Sequence, residues 1–291
     1  MQRNLISSTR LCDCPANHLN CLTAKDWIKA QIGVWKVSYE RRDIRDKKVH
    51  PAVMPIALAK RAVELFTHKG ELVVDPFNGI GTSLIACQDL ERNAVGFDIN
   101  PRYVEVAKQR LKQDSVESRT NQIVLCDDAR RIPEHLDDES ISLIFTSPPY
   151  ANLLNRARLN KSRRGNLRRN AQYLEIEQYS QDPRDLGTLA IEEYTVQLGE
   201  IFKELLHLLK PNGHAVIDVP DIWRRDGKTG KRLPVHIFVH QALVEAGYEL
   251  RNIIIWDRNN IVNKIGIFGW PSNYITMGTT FEYLLDFWKP V

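Results

Sequence analysis

The chain has 291 residues, 43% hydrophobic and 26% charged, proportions ordinary for a globular protein and sufficient to bury a full core. No apolar run approaches the roughly 20 residues that span a bilayer, and the first residues lack the long apolar stretch of a secretory signal. A cytoplasmic protein with no membrane partner is expected, nucleoid-associated if the source is prokaryotic, and the net charge of +4 matters less than where the positive residues cluster.

Residues 1–48, with Trp27 and Trp35, precede the first clear strand and are expected to form a helical cap on a domain running from 49 to 291. The cysteines are Cys12, Cys14, Cys21, Cys87 and Cys126, an odd number that argues against a disulfide framework. Cys12, Cys14, His18 and Cys21 lie close together, but the single residue between the first pair departs from the usual C-x2–4-C of zinc sites. Reduced, non-ligating thiols and no metal are therefore expected.

Strand and helix patterns then alternate, which predicts a mostly parallel sheet flanked by helices. Leu72–Asp75 reads as a buried strand, Gly81–Leu90 as a helix, Ala94–Asp98 as a strand, and Pro101–Leu111 as a helix opened by proline. Ile123–Cys126 and Leu143–Thr146 read as strands. Thr195–Leu209 reads as a long amphipathic helix stopped by Lys210-Pro211-Asn212-Gly213. Ala215–Val219 is a strand, Val235–Ala246 a helix, and Ile253–Trp256 and Tyr283–Phe287 late strands, about seven in all. Between the fourth strand and the long helix, residues 151–190 form a polar, basic insertion of a length usually reserved for function or disorder.

The first chemical signal is Asp75-Pro76-Phe77-Asn78-Gly79-Ile80-Gly81-Thr82, where a strand ends in a carboxylate and a glycine turn leads into a helix. Glycine lets the backbone approach a ligand closely. Asp98 ends the next strand, a placement that suits a carboxylate accepting from both hydroxyls of a ribose. Asp127-Asp128 follows the third, where an adenine amino group would be read. Any one such acid is equally well a helix cap, but three in series follow the carboxyl edge on which open α/β sheets bind ligands. No G-K-[ST] or G-x-G-x-x-G pattern points to a pyrophosphate.

The second signal is Thr146-Ser147-Pro148-Pro149-Tyr150, just past the fourth strand. Two prolines fix φ and remove two backbone donors, leaving a rigid strip of acceptors. The Ser147 oxygen and Pro148 carbonyl suit the two N–H donors of an exocyclic base amine, and the Tyr150 ring suits stacking on an extruded base. Methylation at carbon-5 of cytosine needs a cysteine nucleophile, usually presented after proline, and none of the five cysteines follows one.

Together, the two motifs resemble those of the DNA amino-methyltransferase family, and the Ser-Pro-Pro-Tyr form resembles its cytosine-N4 branch. The resemblance covers about residues 50–289, with the cofactor half first and the catalytic half second. It implies a Rossmann-like class I methyltransferase fold with a seven-stranded sheet and S-adenosylmethionine as cofactor, bound by Asp75, Pro76, Phe77, Asn78, Gly79, Gly81, Thr82, Asp98, Asp128 and Thr146. His50 and Pro51 resemble a further cofactor motif ahead of the glycine turn. Ser147, Pro148, Pro149 and Tyr150 become the catalytic loop, acting on N4 of a cytosine flipped out of double-stranded DNA. Adenine-N6 methylation is the nearest alternative, followed by an RNA base-amine methyltransferase and a non-catalytic binding protein that keeps the fold. A cognate restriction endonuclease is the partner class such enzymes admit. Arg156, Arg163, Arg164, Arg168 and Arg169 belong to a basic run directly after the catalytic loop, expected to contact phosphates without reading bases. Residues 224–232 form a second basic segment, expected as a loop on the same edge, and residues 257–277, with Trp270 and Tyr274, are a further candidate for base readout.

Overall fold

The computed structural model describes residues 5–6, 8–15, 17–46, 53–113, 119–154, 182–226, 229–259 and 278–290. His50, Pro51, Arg156, Arg163, Arg164, Arg168, Arg169, Trp270 and Tyr274 lie outside them. Among the described residues no helix is long and apolar enough to cross a membrane.

The elements run α1 (Ala24–Ala30), β1 (Val34–Lys36), α2 (Arg41–Asp46), α3 (Ile56–Phe66), β2 (Leu72–Asp75), α4 (Thr82–Asp89), β3 (Asn93–Asp98), α5 (Pro101–Gln113), β4 (Gln122–Cys126) and β5 (Ile141–Thr146). After the basic insertion come α6 (Ile191–Leu206), β6 (Leu209–Val219), β7 (Ile222–Asp226), β8 (Thr229–Leu233), α7 (Val235–Glu245), β9 (Glu249–Asp257) and β10 (Phe281–Trp288). The main sheet has eight strands in the order β1-β9-β10-β6-β5-β2-β3-β4. Among the described strands of this sheet, only β10 runs antiparallel to both its neighbours.

Alternation along the strands sorts the core into two layers. Leu72, Val74, Val95, Phe97, Ile144 and Ile217 face the side covered by α6 and α7. Val73, Ala94, Leu143, Phe145 and Val216 face the side covered by α3, α4 and α5. The chain leaves β2 outward through β3 and β4, then returns to lay β5 on the other side of β2. The order reverses between β2 and β5, and there the loops beyond the strand ends diverge and open a crevice.

Three expectations need correction. The sheet has eight strands rather than seven, because Val34-Trp35-Lys36 pairs in parallel with Ile255–Asp257 as an edge strand. Trp35 is buried while its two neighbours are exposed, so burial of one indole against the sheet holds a strand too short to leave a periodic signal. The long helix ends at Leu206, and β6 already begins at Leu209. Leu209 pairs with Ile141, a bulge follows between Ile141 and Leu143, and Asn212 takes the left-handed conformation at φ 59°. The stop signal at Lys210-Pro211-Asn212-Gly213 therefore lies within the next strand. Residues 224–226 and 229–232 lie in two paired antiparallel strands, β7 and β8, rather than in a loop; β7 starts three residues beyond the carboxyl end of β6. There Gly230 sits against the Trp223 indole, where a Cβ would come within 2.6 Å of the ring.

Candidate active site

One cleft of about 960 Å³, counting the space open to solvent, lies at the reversal point. The glycine turn lines it through Asp75, Pro76, Phe77, Asn78, Gly79, Ile80 and Thr82, the next strand ends through Asp98, Asp127 and Asp128, and the proline loop through Ser147, Pro149 and Tyr150. The two loops thus face the same space. Pro148 is buried, and Gly81 and Thr146 stand behind the lining.

The glycine turn is shaped by backbone demands. Gly79 and Gly81 both have positive φ, 51° and 82°, and a Cβ on Gly81 would press on Ala107 of α5 at 3.0 Å. Asn78 donates its N–H to the Phe97 carbonyl at 2.8 Å, and Arg110, buried on α5, donates to the Ile80 carbonyl at 2.6 Å. The turn is therefore held from β3 and α5, so its N–H groups keep fixed directions.

Asp75 works inside this frame rather than at the cleft's mouth. It is 4% exposed. Its carboxylate accepts from the Phe77 N–H at 3.1 Å, the Thr146 hydroxyl at 2.6 Å and the Ser83 hydroxyl. Burial pushes its pKa up to about 6, against the opposing pull of these donors. Asp98 accepts from the Gly79 N–H through Oδ2 and from the Asn100 N–H through Oδ1, both at 2.8 Å. Burial, with smaller repulsion from Asp185 and Asp75, pushes Asp98 up to about 7. A carboxylate offers about four acceptor sites, so Asp98 retains two beyond its backbone partners. Asp128 caps the short helix Ala129–Glu134 by accepting from the Arg130 N–H at 3.0 Å, and it pairs with the Arg130 guanidinium at 3.1 Å. Asp127 pairs with His135 at 2.9 Å and Arg131 at 3.0 Å.

In the proline loop the Ser147 and Tyr150 hydroxyls lie 2.6 Å apart. Tyr150 is 6% exposed. Beside them is a residue the sequence did not single out: Asp218 near the end of β6, 1% exposed. Burial pushes its pKa up to about 7, partly offset by the charge of Arg258 and by a hydrogen bond from Ser147. Its Oδ1 has no partner among the described residues. Its only sequence signal is an acid amid Val216, Ile217 and Val219, inside the apolar run that ends β6.

The sequence profile of a DNA methylase family matches residues 21–109 and 141–290. Type II methyltransferase M.HpaI of Haemophilus parainfluenzae is 34% identical over 113 residues, 37% of this chain and 33% of that protein. Type II methyltransferase M.MjaI of Methanocaldococcus jannaschii is 28% identical over 183 residues, 60% of this chain and 58% of that protein. The chain thus spans about a third to somewhat over half the length of these relatives. Among solved structures, TrmN from Thermus thermophilus superposes with a TM-score of 0.51 at 14% identity, over 85% of this chain and 53% of that one, a likeness of fold.

Proposed function

This chain belongs to the DNA methylase family, and from that premise we propose that it transfers a methyl group from S-adenosylmethionine to an exocyclic base amine in double-stranded DNA, N4 of cytosine. The observation that carries the reading is the shared cleft, in which the glycine turn faces Ser147 and Tyr150. The serine at 147, the form typical of the cytosine-N4 branch, supports cytosine over adenine.

The lining fits the cofactor. Asp98 keeps acceptor sites suited to two ribose hydroxyls, Asp127 and Asp128 suit an adenine amine, and Phe77, Ile99 and Ile201 give it apolar surface. When bound, the cofactor supplies an electrophilic methyl group on a sulfonium.

The chain's own residues orient and deprotonate the acceptor. A serine hydroxyl has one donor and two acceptor sites. Donating to Asp218 and accepting from Tyr150 leaves Ser147 one acceptor for an amine N–H, and the Pro148 carbonyl takes the second. Holding both N–H bonds draws them out of the ring plane and localises the nitrogen lone pair for in-line attack, without a covalent enzyme intermediate. The proton released as the N–C bond forms passes to Ser147, whose own proton moves to Asp218. Tyr150 stacks on the flipped base, and the basic run beginning at Arg156 neutralises phosphates. The type II methyltransferase relatives support DNA modification; site-specific action in the cytoplasm alongside a cognate endonuclease completes the reading.

Nucleoside mass spectrometry of DNA treated with the protein and cofactor is the test. N4-methylcytosine is expected. N6-methyladenine would keep the architecture and replace the base, and methylation confined to RNA would overturn the DNA assignment.

A further inference from the structure

At the opposite edge of the sheet from the cleft, four ligating side chains converge. Cys12, Cys14, Cys21 and His68 bring three Sγ atoms and an imidazole nitrogen within 4.8 Å of one another. Cys12 Sγ lies 3.4 Å from Cys21 Sγ, and His68 Nδ1 lies 3.4 Å from Cys12 Sγ and 3.5 Å from Cys21 Sγ. We propose that these four residues bind one structural Zn²⁺ ion, which clamps the amino-terminal arm onto the loop that leads into β2.

The three separations of 3.4–3.5 Å lie a few tenths of an ångström inside the edges of a tetrahedron around one ion. With Zn–S about 2.3 Å and Zn–N about 2.0–2.1 Å, tetrahedral edges come to roughly 3.8 Å between sulfurs and roughly 3.6 Å between sulfur and nitrogen. A disulfide would bring two sulfurs to about 2.05 Å, and all three cysteines are free thiols. Three soft sulfurs and an imidazole in this geometry select zinc over magnesium or calcium, which take oxygen. Four protein ligands leave no open position, the mark of a structural rather than catalytic ion.

The backbone is arranged to present these groups. Cys21 and Asn20 have positive φ, 72° and 49°, in a tight turn closed by the Leu19–Leu22 bridge, and Asn20 is tied to the Leu65 carbonyl at 2.6 Å. The Glu71 carboxylate accepts from the His68 N–H at 2.7 Å, fixing the backbone that carries the imidazole. The cysteines are partly exposed and His68 is 8% exposed, so an ion can reach them.

The arm so held matters to the fold. Ile6 enters the core, Ser8 Oγ accepts from the Leu72 N–H at 3.2 Å, and Leu11 donates its N–H to the Lys69 carbonyl at 2.8 Å. Gly70 passes so close to the arm that a Cβ would lie 2.2 Å from the Thr9 carbonyl oxygen. These contacts fall at the start of β2, the strand that ends in Asp75.

The test uses the full chain, expressed with added zinc and purified without chelator. Elemental analysis is expected to return about one zinc per chain, and cobalt exchanged into it should show the visible absorption of a tetrahedral sulfur-rich site. Chelation should lower the melting temperature by about 10 °C or more. Cys14→Ser and His68→Asn should each lose the metal, whereas Cys126→Ser should retain it. Where a ligand variant does not fold, the cobalt spectrum of the wild-type chain decides. Substoichiometric zinc, a Cys12–Cys21 disulfide in the reduced-compartment product, or retention of metal in His68→Asn would overturn the assignment.

Discussion

Thr146, the last residue of β5, donates its hydroxyl to Asp75, the last residue of β2, at 2.6 Å. This bond ties the proline loop to the glycine turn, across the reversal point of the sheet. Thr146 is fully buried, so water cannot replace it. Thr146→Val keeps the shape and removes the donor. It is expected to cost about 1–3 kcal/mol of stability and to weaken both cofactor binding and turnover. Thermal melts and calorimetric titration with S-adenosylmethionine are the measurements; unchanged values for both would show that the tie is dispensable.

Ser147→Ala should retain cofactor affinity and lose turnover by about 10²-fold or more, read by incorporation of labelled methyl groups. Tyr150→Phe keeps the ring and loses only the hydroxyl that faces Ser147, so a much smaller loss is expected. Tyr150→Ala removes stacking worth roughly 1–3 kcal/mol and should weaken DNA binding as well.

The pH profile reports on Asp218. If Asp218 receives the released proton, it must be ionised beforehand, and the rate should fall as pH drops through about 7, where burial sets its pKa. Asp218→Asn should lower the rate and flatten this acid limb while leaving cofactor binding in place. An unaltered acid limb in the variant would exclude Asp218 from the proton path.

Asp98 carries a stability signature of opposite sense to the usual salt-bridged acid. Its folded pKa is raised from 3.8 to about 7, so the folded chain binds more protons than the unfolded one between those values. The contribution of Asp98 to stability is therefore fully unfavourable above about 7 and fades as pH falls toward 4. Without cofactor, Asp98→Asn should stabilise the protein at pH 8 by on the order of 1–3 kcal/mol, with the gain shrinking by pH 5, and should weaken cofactor binding. Melts of both proteins across that window, with and without cofactor, test the sign.

Charge reversal at Arg163 and Arg164 should weaken DNA binding and flatten its dependence on salt, because fewer counterions are released. Affinity measured at several salt concentrations checks this, and an unchanged slope would remove these two residues from the interface.

The sequence by itself determined the elements whose signal is local. Asp75 through Thr82 and Thr146 through Tyr150 were legible because a strand end, a glycine turn and a double proline each dictate backbone and chemistry within a few residues. Most strands and helices were legible because their apolar periods are set by their own geometry. The tertiary structure alone decided what depends on partners remote in the chain. Val34–Lys36 became a strand only because β9 offered an edge. His68, rather than the nearby His18, joined Cys12, Cys14 and Cys21 because the arm folds back on the start of β2. Asp218 met Ser147 because β6 lies beside β5. The physical reason is common to all three: spacing along the chain fixes what a residue can do within its own turn or strand, whereas which side chains meet is set by the order in which the strands assemble.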